Sequence, residues 1–152
     1  MSVERVRTFF EENGLTYEIR EFDMSTENVA RAAKALGVEP ALIAKTLAFK
    51  TKDRGILIVM KGDARIDNRK FKEQFRVKAT MMPADEVLET TGHPVGGVCP
   101  FGLRKEMDVY VDESVRQFKK VYPAAGSQNS CIEIAPDELS RITGARWVDV
   151  CK

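Results

Sequence analysis

Residues 45–60 read KTLAFKTKDRGILIVM, and this stretch decides the fold. Lys45 to Phe49 suits a strand, and the period of two puts Lys45, Leu47 and Phe49 on one face. Asp53, Arg54 and Gly55 form a hairpin-like turn. Ile56 to Met60 is an unbroken apolar run, the pattern of a central strand covered on both sides. A lysine sharing a face with two large apolar residues has two readings. It can sit at the strand end and snorkel to water, or it can place a charge in a cleft.

Toward the N-terminus, Pro40 to Ala44 reads as a short helical turn. Val29, Ala32, Ala33 and Leu36 make one apolar stripe that stops at Gly37, with Ser25 or Thr26 as the cap. The small residues of that stripe imply close packing against another element. Leu15 to Phe22 alternates apolar and polar residues like a half-buried strand. Val3, Val6, Phe9 and Phe10 predict an amphipathic helix over 2–13, stopped by Gly14.

Toward the C-terminus, Gly62 and Asp63 end the central strand, and Asp67 or Asn68 caps a helix with Phe71 and Phe75 inward. Val77 to Met81 reads as a short strand, and Pro83 opens a helix that stops at Gly92. Met107, Val109 and Val111 alternate with polar residues as a strand, and Phe118 to Ala124 and Cys131 to Ala135 are two more. Pro136 starts a last helix ending at Gly144, and Arg146 to Val150 closes the chain as a strand. About seven strand candidates with hairpin-like spacings, interleaved with helices, predict one α/β domain over 1–152. Its sheet is expected to be mixed, largely antiparallel, with helices outside.

A formal net charge of +1 gives no general attraction for polyanions, so any nucleic-acid contact needs a local patch. Residues 65–78 offer one. Arg65, Arg69, Lys70, Lys72, Arg76 and Lys78 stand against only Asp67 and Glu73. This is either a phosphate-contacting surface or a solvated helix face. No apolar run approaches the roughly 20 residues of a membrane span. The first residues lack a signal-peptide core, and three separated cysteines fit a reducing cytoplasm better than a disulfide framework or a zinc site. No phosphate loop or dinucleotide motif is present, so no cofactor is expected.

Residues 91–103, TGHPVGGVCPFGL, hold Gly92, Gly96, Gly97 and Gly102, two prolines, the sole histidine His93 and Cys99. The loop is either an elaborate connection or a backbone shaped around a ligand. A Cys99–His93 hydrolase would need an orienting carboxylate or amide that the pattern does not supply; Cys99 packed in the core is the alternative. What remains is a cleft with a lysine and glycine-loop amides, groups that polarise and position rather than attack.

Five features occur in order. They are Lys45-Thr-Leu, then Gly62-Asp-Ala-Arg-Ile, then the Gly96-Gly97-Val-Cys-Pro100-Phe-Gly102 loop, then Ala125-Gly126, then an Ile-Glu-Ile strand running to Pro136-Asp-Glu-Leu139. This set, over about residues 2–150, resembles the YbaK/EbsC family of aminoacyl-tRNA editing domains. The family includes free-standing Cys-tRNA(Pro) and Ala-tRNA(Pro) deacylases and the editing insertion of prolyl-tRNA synthetases. The resemblance implies a curved, partly barrel-like sheet and hydrolysis of the ester joining a small amino acid, such as Cys or Ala, to tRNA(Pro). It implies Lys45 as the catalytic group. It also implies Thr46, Gly96, Gly97, Pro100, Phe101, Gly102 and Gly126 around the substrate, and a ribose hydroxyl that helps to activate water. Mischarged tRNA is the implied partner, with prolyl-tRNA synthetase as a second; the local charge of 65–78 makes Arg65, Arg69, Lys70 and Lys72 the candidate tRNA contacts. A non-catalytic module that binds aminoacyl-tRNA or a synthetase is the rival reading. The resemblance carries no role for His93 or Cys99.

Overall fold

The computed structural model describes residues 2–22 and 28–152. The apolar run at 56–60 is central, as its composition requires. Strand β3 (Gly55–Lys61) lies between the antiparallel β2 (Ile43–Lys50) and the parallel β5 (Asp108–Asp112). Ile56, Leu57, Ile58, Val59 and Met60 are all fully buried. Each aliphatic side chain moved from water contributes about 2 kcal/mol of transfer free energy, so this strand anchors the core.

The main sheet runs β4–β2–β3–β5–β8, with β4 at Thr80–Met81, β8 at Arg146–Val148, and β6 (Tyr122–Pro123) pairing with β2 further along. A separate antiparallel pair joins β1 (Arg20–Glu21) to β7 (Ser130–Cys131). The sheet is mixed. Its β2–β6, β3–β5 and β5–β8 pairs are parallel, a larger parallel share than hairpin-like spacing suggests. It stays open rather than closing into a barrel, with β4 and β8 at the two ends of its strand order.

Among the described residues, five α-helices pack around it: α1 (Ser2–Glu12), α2 (Val29–Leu36), α3 (Asn68–Phe75), α4 (Ala84–Thr91) and α5 (Pro136–Thr143). Their ends follow local chemistry. Asp67 caps α3 by accepting from the amides of Arg69 and Lys70, Pro136 opens α5, and α2, α4 and α5 end on left-handed glycines. Ser25 and Thr26, the caps expected for α2, lie outside the described residues; Asn28 accepts from the Arg31 amide instead.

The alternating stretch 15–22 forms ladder pairs only at Arg20–Glu21. Leu15, Tyr17 and Ile19 still pack on the core, so the alternation reports burial, not pairing. Likewise 118–124 and 131–135 shrink to β6 and β7 plus isolated bridges.

Candidate active site

On one edge, β2 is paired with β3 from Ala44 to Lys50. On the other edge, two short strands meet only its ends. β4 pairs Thr80 with Lys50 and Met81 with Phe49, and the Met82 amide donates to the Ala48 carbonyl at 3.0 Å. Pro83 and Ala84 then turn the chain into α4, so this ladder stops one step short of Thr46. β6 pairs in parallel with Ile43 and Ala44 and ends at Pro123. Among the described residues, no strand between them pairs with 45–47 on that side. The pleat turns the N–H and C=O of Thr46 toward the same edge as those of Ala48, which is the open one.

The gap opens into a cleft of about 290 Å³. Helix α2 supplies Val29, Ala32 and Leu36 to one wall, while Met81, Met82 and Val87 supply another. Val95, Gly96 and Val98 of the glycine loop face them, and Tyr122, Ala124, Ser130 and Cys131 add to the lining, with Phe22 and Asn28 at either side of the stretch that is not described. The walls are mostly apolar with few polar groups, the usual makeup of a small-molecule site. Thr46 is 9% exposed, and its Oγ1 has no hydrogen-bond partner.

Lys45 lines the same cleft. Its side chain belongs to the sheet face of Leu47 and Phe49, which packs on Phe71, whereas Ala44 and Ala48 pack toward Cys99 and Val98. The Lys45 ammonium donates to the Ala64 carbonyl at 2.6 Å. Burial lowers its pKa below the ordinary lysine value, against the attraction of the Asp63 carboxylate.

The two glycine turns stand together behind the loop wall. The Gly126 amide donates to the Gly97 carbonyl at 3.1 Å, and a Cβ on Gly97 would lie 2.7 Å from the Ser127 Cα. Gly96, at φ 94°, carries the chain from this contact into the cleft.

Pro100, Phe101 and Gly102 do not line this cleft. Phe101 is fully buried, its ring 5.3 Å from Phe10 and 6.1 Å from Phe9. Pro100 and Gly102 border a second, more open hollow beside Arg5 and Phe9 of α1. A Cβ on Gly102 would collide with the Arg5 carbonyl, so only glycine lets α1 settle there. Gly126 meets α1 too, with the Ser2 carbonyl 2.8 Å from where a Cβ would stand.

His93 and Cys99 are completely buried. His93 Nε2 lies 2.7 Å from the Phe101 carbonyl, which only accepts, so Nε2 carries a proton; Nδ1 pairs with the Ser2 hydroxyl. Burial lowers the His93 pKa. Burial pushes the Cys99 thiol up to about 12, so it is protonated at neutral pH and no nucleophile. These two residues hold the loop onto α1.

Of the basic set, Arg65, Arg69 and Lys72 are exposed, and Arg69 pairs with Glu73 at 3.5 Å. Lys70 is engaged internally, with Asp149 at 3.0 Å and the Cys151 carbonyl at 2.9 Å. The patch begins beside the cleft lysine, because Arg65 follows Ala64, whose carbonyl holds Lys45. Among the described residues no three His, Cys, Asp or Glu side chains gather as a metal-holding group, and no helix is long and apolar enough to cross a membrane.

Sequence reasoning did not place α2, the Met81–Met82 pair or Cys131 at the site. The small residues of α2 were the one available signal, and they mark where it lies close to β2.

Comparison with known proteins identifies the family. The model of the aminoacyl-tRNA editing domain family matches residues 24–142. YwhH of Bacillus subtilis strain 168, an uncharacterised protein, is 47% identical over 154 residues, covering 100% of this chain and 98% of YwhH. EbsC of Enterococcus faecalis V583, named as a candidate Cys-tRNA(Pro)/Cys-tRNA(Cys) deacylase, is 27% identical over 144 residues, covering 92% of this chain and 88% of EbsC. A crystal structure described as that of a candidate trans-editing enzyme for prolyl-tRNA synthetase superposes with a TM-score of 0.92 at 30% identity, covering 99% of this chain and 97% of the other. With the family model spanning most of its length, the chain belongs to the aminoacyl-tRNA editing domain family.

Proposed function

We propose that this protein is a free-standing deacylase that removes a small amino acid, such as Cys or Ala, from mischarged tRNA(Pro). The observation that carries the reading is the meeting of Lys45, Thr46 and Gly96 at one apolar cleft on the free edge of β2. The acyl group enters the cleft, and Lys45 with edge and loop amides holds the ester. A ribose hydroxyl of the terminal adenosine helps to orient water. Water oxygen bonds to the acyl carbon, the bond from that carbon to the ribose oxygen breaks, and the ribose oxygen takes a proton. The free amino acid leaves.

Apolar walls and a volume near 290 Å³ suit selection by size. Such a cleft excludes larger side chains better than it rejects smaller ones. Arg65, Arg69 and Lys72 are the outward charges for the tRNA backbone, and Lys70 reinforces the same surface from its internal pairing. EbsC and the trans-editing structure, by their names, support tRNA(Pro) and a link to prolyl-tRNA synthetase.

A second reading is a module that grips aminoacyl-tRNA without cutting it. The bond of the Lys45 ammonium to Ala64 favours it, since that charge is already partnered. Hydrolysis of a panel of mischarged tRNAs, run beside a salt titration of binding, separates the two. Turnover of a small-residue ester supports the deacylase; salt-sensitive binding with no turnover supports the module.

A further inference from the structure

Among the described residues, the cleft contains one buried polar side chain that the fold leaves unsatisfied. Thr46 Oγ1 is buried and makes no hydrogen bond; strand alternation puts it on the face of Ala44 and Ala48, the latter packed with Val98. A buried hydroxyl without a partner is destabilising, and nothing in the packing of β2 requires one: valine has the same shape and a higher strand propensity. The main chain repeats the pattern. The N–H and C=O of Thr46 point to the gap between the β4 and β6 ladders, where none of the described strands meets them. One residue therefore presents a hydroxyl, an amide donor and a carbonyl acceptor at the same corner of a mostly apolar cleft.

An aminoacyl ester has complementary groups. Its side chain is suited to the apolar walls, its carbonyl accepts, and its α-amino group donates. We infer that Thr46 is a specificity-determining residue that reads the α-amino group, with its hydroxyl and its free-edge carbonyl as acceptors. This rests on the reading of the cleft as the aminoacyl site and names what makes that site selective for aminoacyl over simple acyl groups. The acyl moiety then lies along β2 as a one-residue extension of the interrupted ladder.

The test uses two uncleavable probes, 3′-deoxy-3′-(alanylamino)adenosine and its propionylamino counterpart, which lacks the amino group. Calorimetric binding is measured with the full chain and with Thr46→Val and Thr46→Ser. The wild type is expected to prefer the alanyl probe by about tenfold, a value typical of one buried hydrogen bond. Thr46→Ser keeps the preference, and Thr46→Val brings it within about twofold, the remainder resting on the backbone. The thermal midpoint of Thr46→Val is expected to equal or exceed that of the wild type. A preference unchanged by Thr46→Val overturns the assignment while leaving the deacylase reading intact. A lowered midpoint overturns its premise that the hydroxyl is unsatisfied. Binding of neither probe by the wild type contradicts the aminoacyl site itself.

Discussion

Gly97 and Gly126 stand back to back, the amide of Gly126 donating to the carbonyl of Gly97 at 3.1 Å. Neither lines the cleft, yet their contact fixes where Gly96 and Val98 stand against β2. Gly97→Ala would put a methyl 2.7 Å from the Ser127 backbone, which cannot rotate away. We expect a loss of about 1–3 kcal/mol in chemical denaturation, together with weakened probe binding. Gly144→Ala is the comparison. It has left-handed backbone at φ 68° but open space around it, so it should cost only about 1 kcal/mol and leave binding alone. Equal effects on binding would show that the glycine contact does not shape the cleft.

His93 gives the fold a pH dependence of definite sign. Its pKa is lowered in the folded protein, so the unfolded chain binds more protons as pH falls through the ordinary histidine value. Its contribution is complete above about pH 6.5 and declines below it. Thermal melts at several pH values should show wild type losing stability faster than His93→Gln between about pH 6.5 and 5. Parallel curves would mean that the buried imidazole is not the titrating group.

Cys99 is expected to be dispensable for turnover. Its thiol is protonated and sealed in the core among Val6, Phe10 and Phe101. Cys99→Ala should keep the deacylation rate within about twofold and cost roughly 1 kcal/mol of stability through a small cavity. A tenfold loss of rate with the fold intact would return the cysteine to the mechanism.

The basic residues should divide by what they already hold. Arg65→Ala, Arg69→Ala and Lys72→Ala are each expected to weaken tRNA binding and lower the slope of log affinity against log salt by about 1. Lys70→Ala should lower the thermal midpoint as well, because its ammonium ties α3 to Asp149 and the Cys151 carbonyl. A salt slope unmoved by all four substitutions would place the tRNA elsewhere.

Element types are readable where chemistry is local. The run at 56–60, the cap at Asp67, the helix start at Pro136 and the glycine stops at 37, 92 and 144 depend on neighbours in sequence, and they lie where their residues place them. Ladders at 15–22 and 118–124 are shorter than their patterns imply, since a strand also needs a partner and alternation shows only which side is buried. At the candidate site, the ordered motifs name Lys45, Thr46 and Gly96, and these three border one cleft. The turn at 100–102 was not legible, because a glycine that admits a helix and a glycine that admits a ligand look alike in sequence. Only the Arg5 carbonyl beside Gly102 distinguishes them. The free edge of β2 was equally hidden, as it depends on where β4 and β6 stop.

The most direct measurement of the central claim is deacylation of mischarged tRNA(Pro) by wild type and Lys45→Ala under single-turnover conditions, with thermal melts to confirm that both are folded. The account predicts that wild type cleaves a small-residue ester well above the uncatalysed rate and that Lys45→Ala is slower by about a hundredfold or more, the scale of one lost electrostatic contact to the reacting ester. Cleavage that is unchanged in Lys45→Ala, or absent from the wild type across the panel, would contradict it.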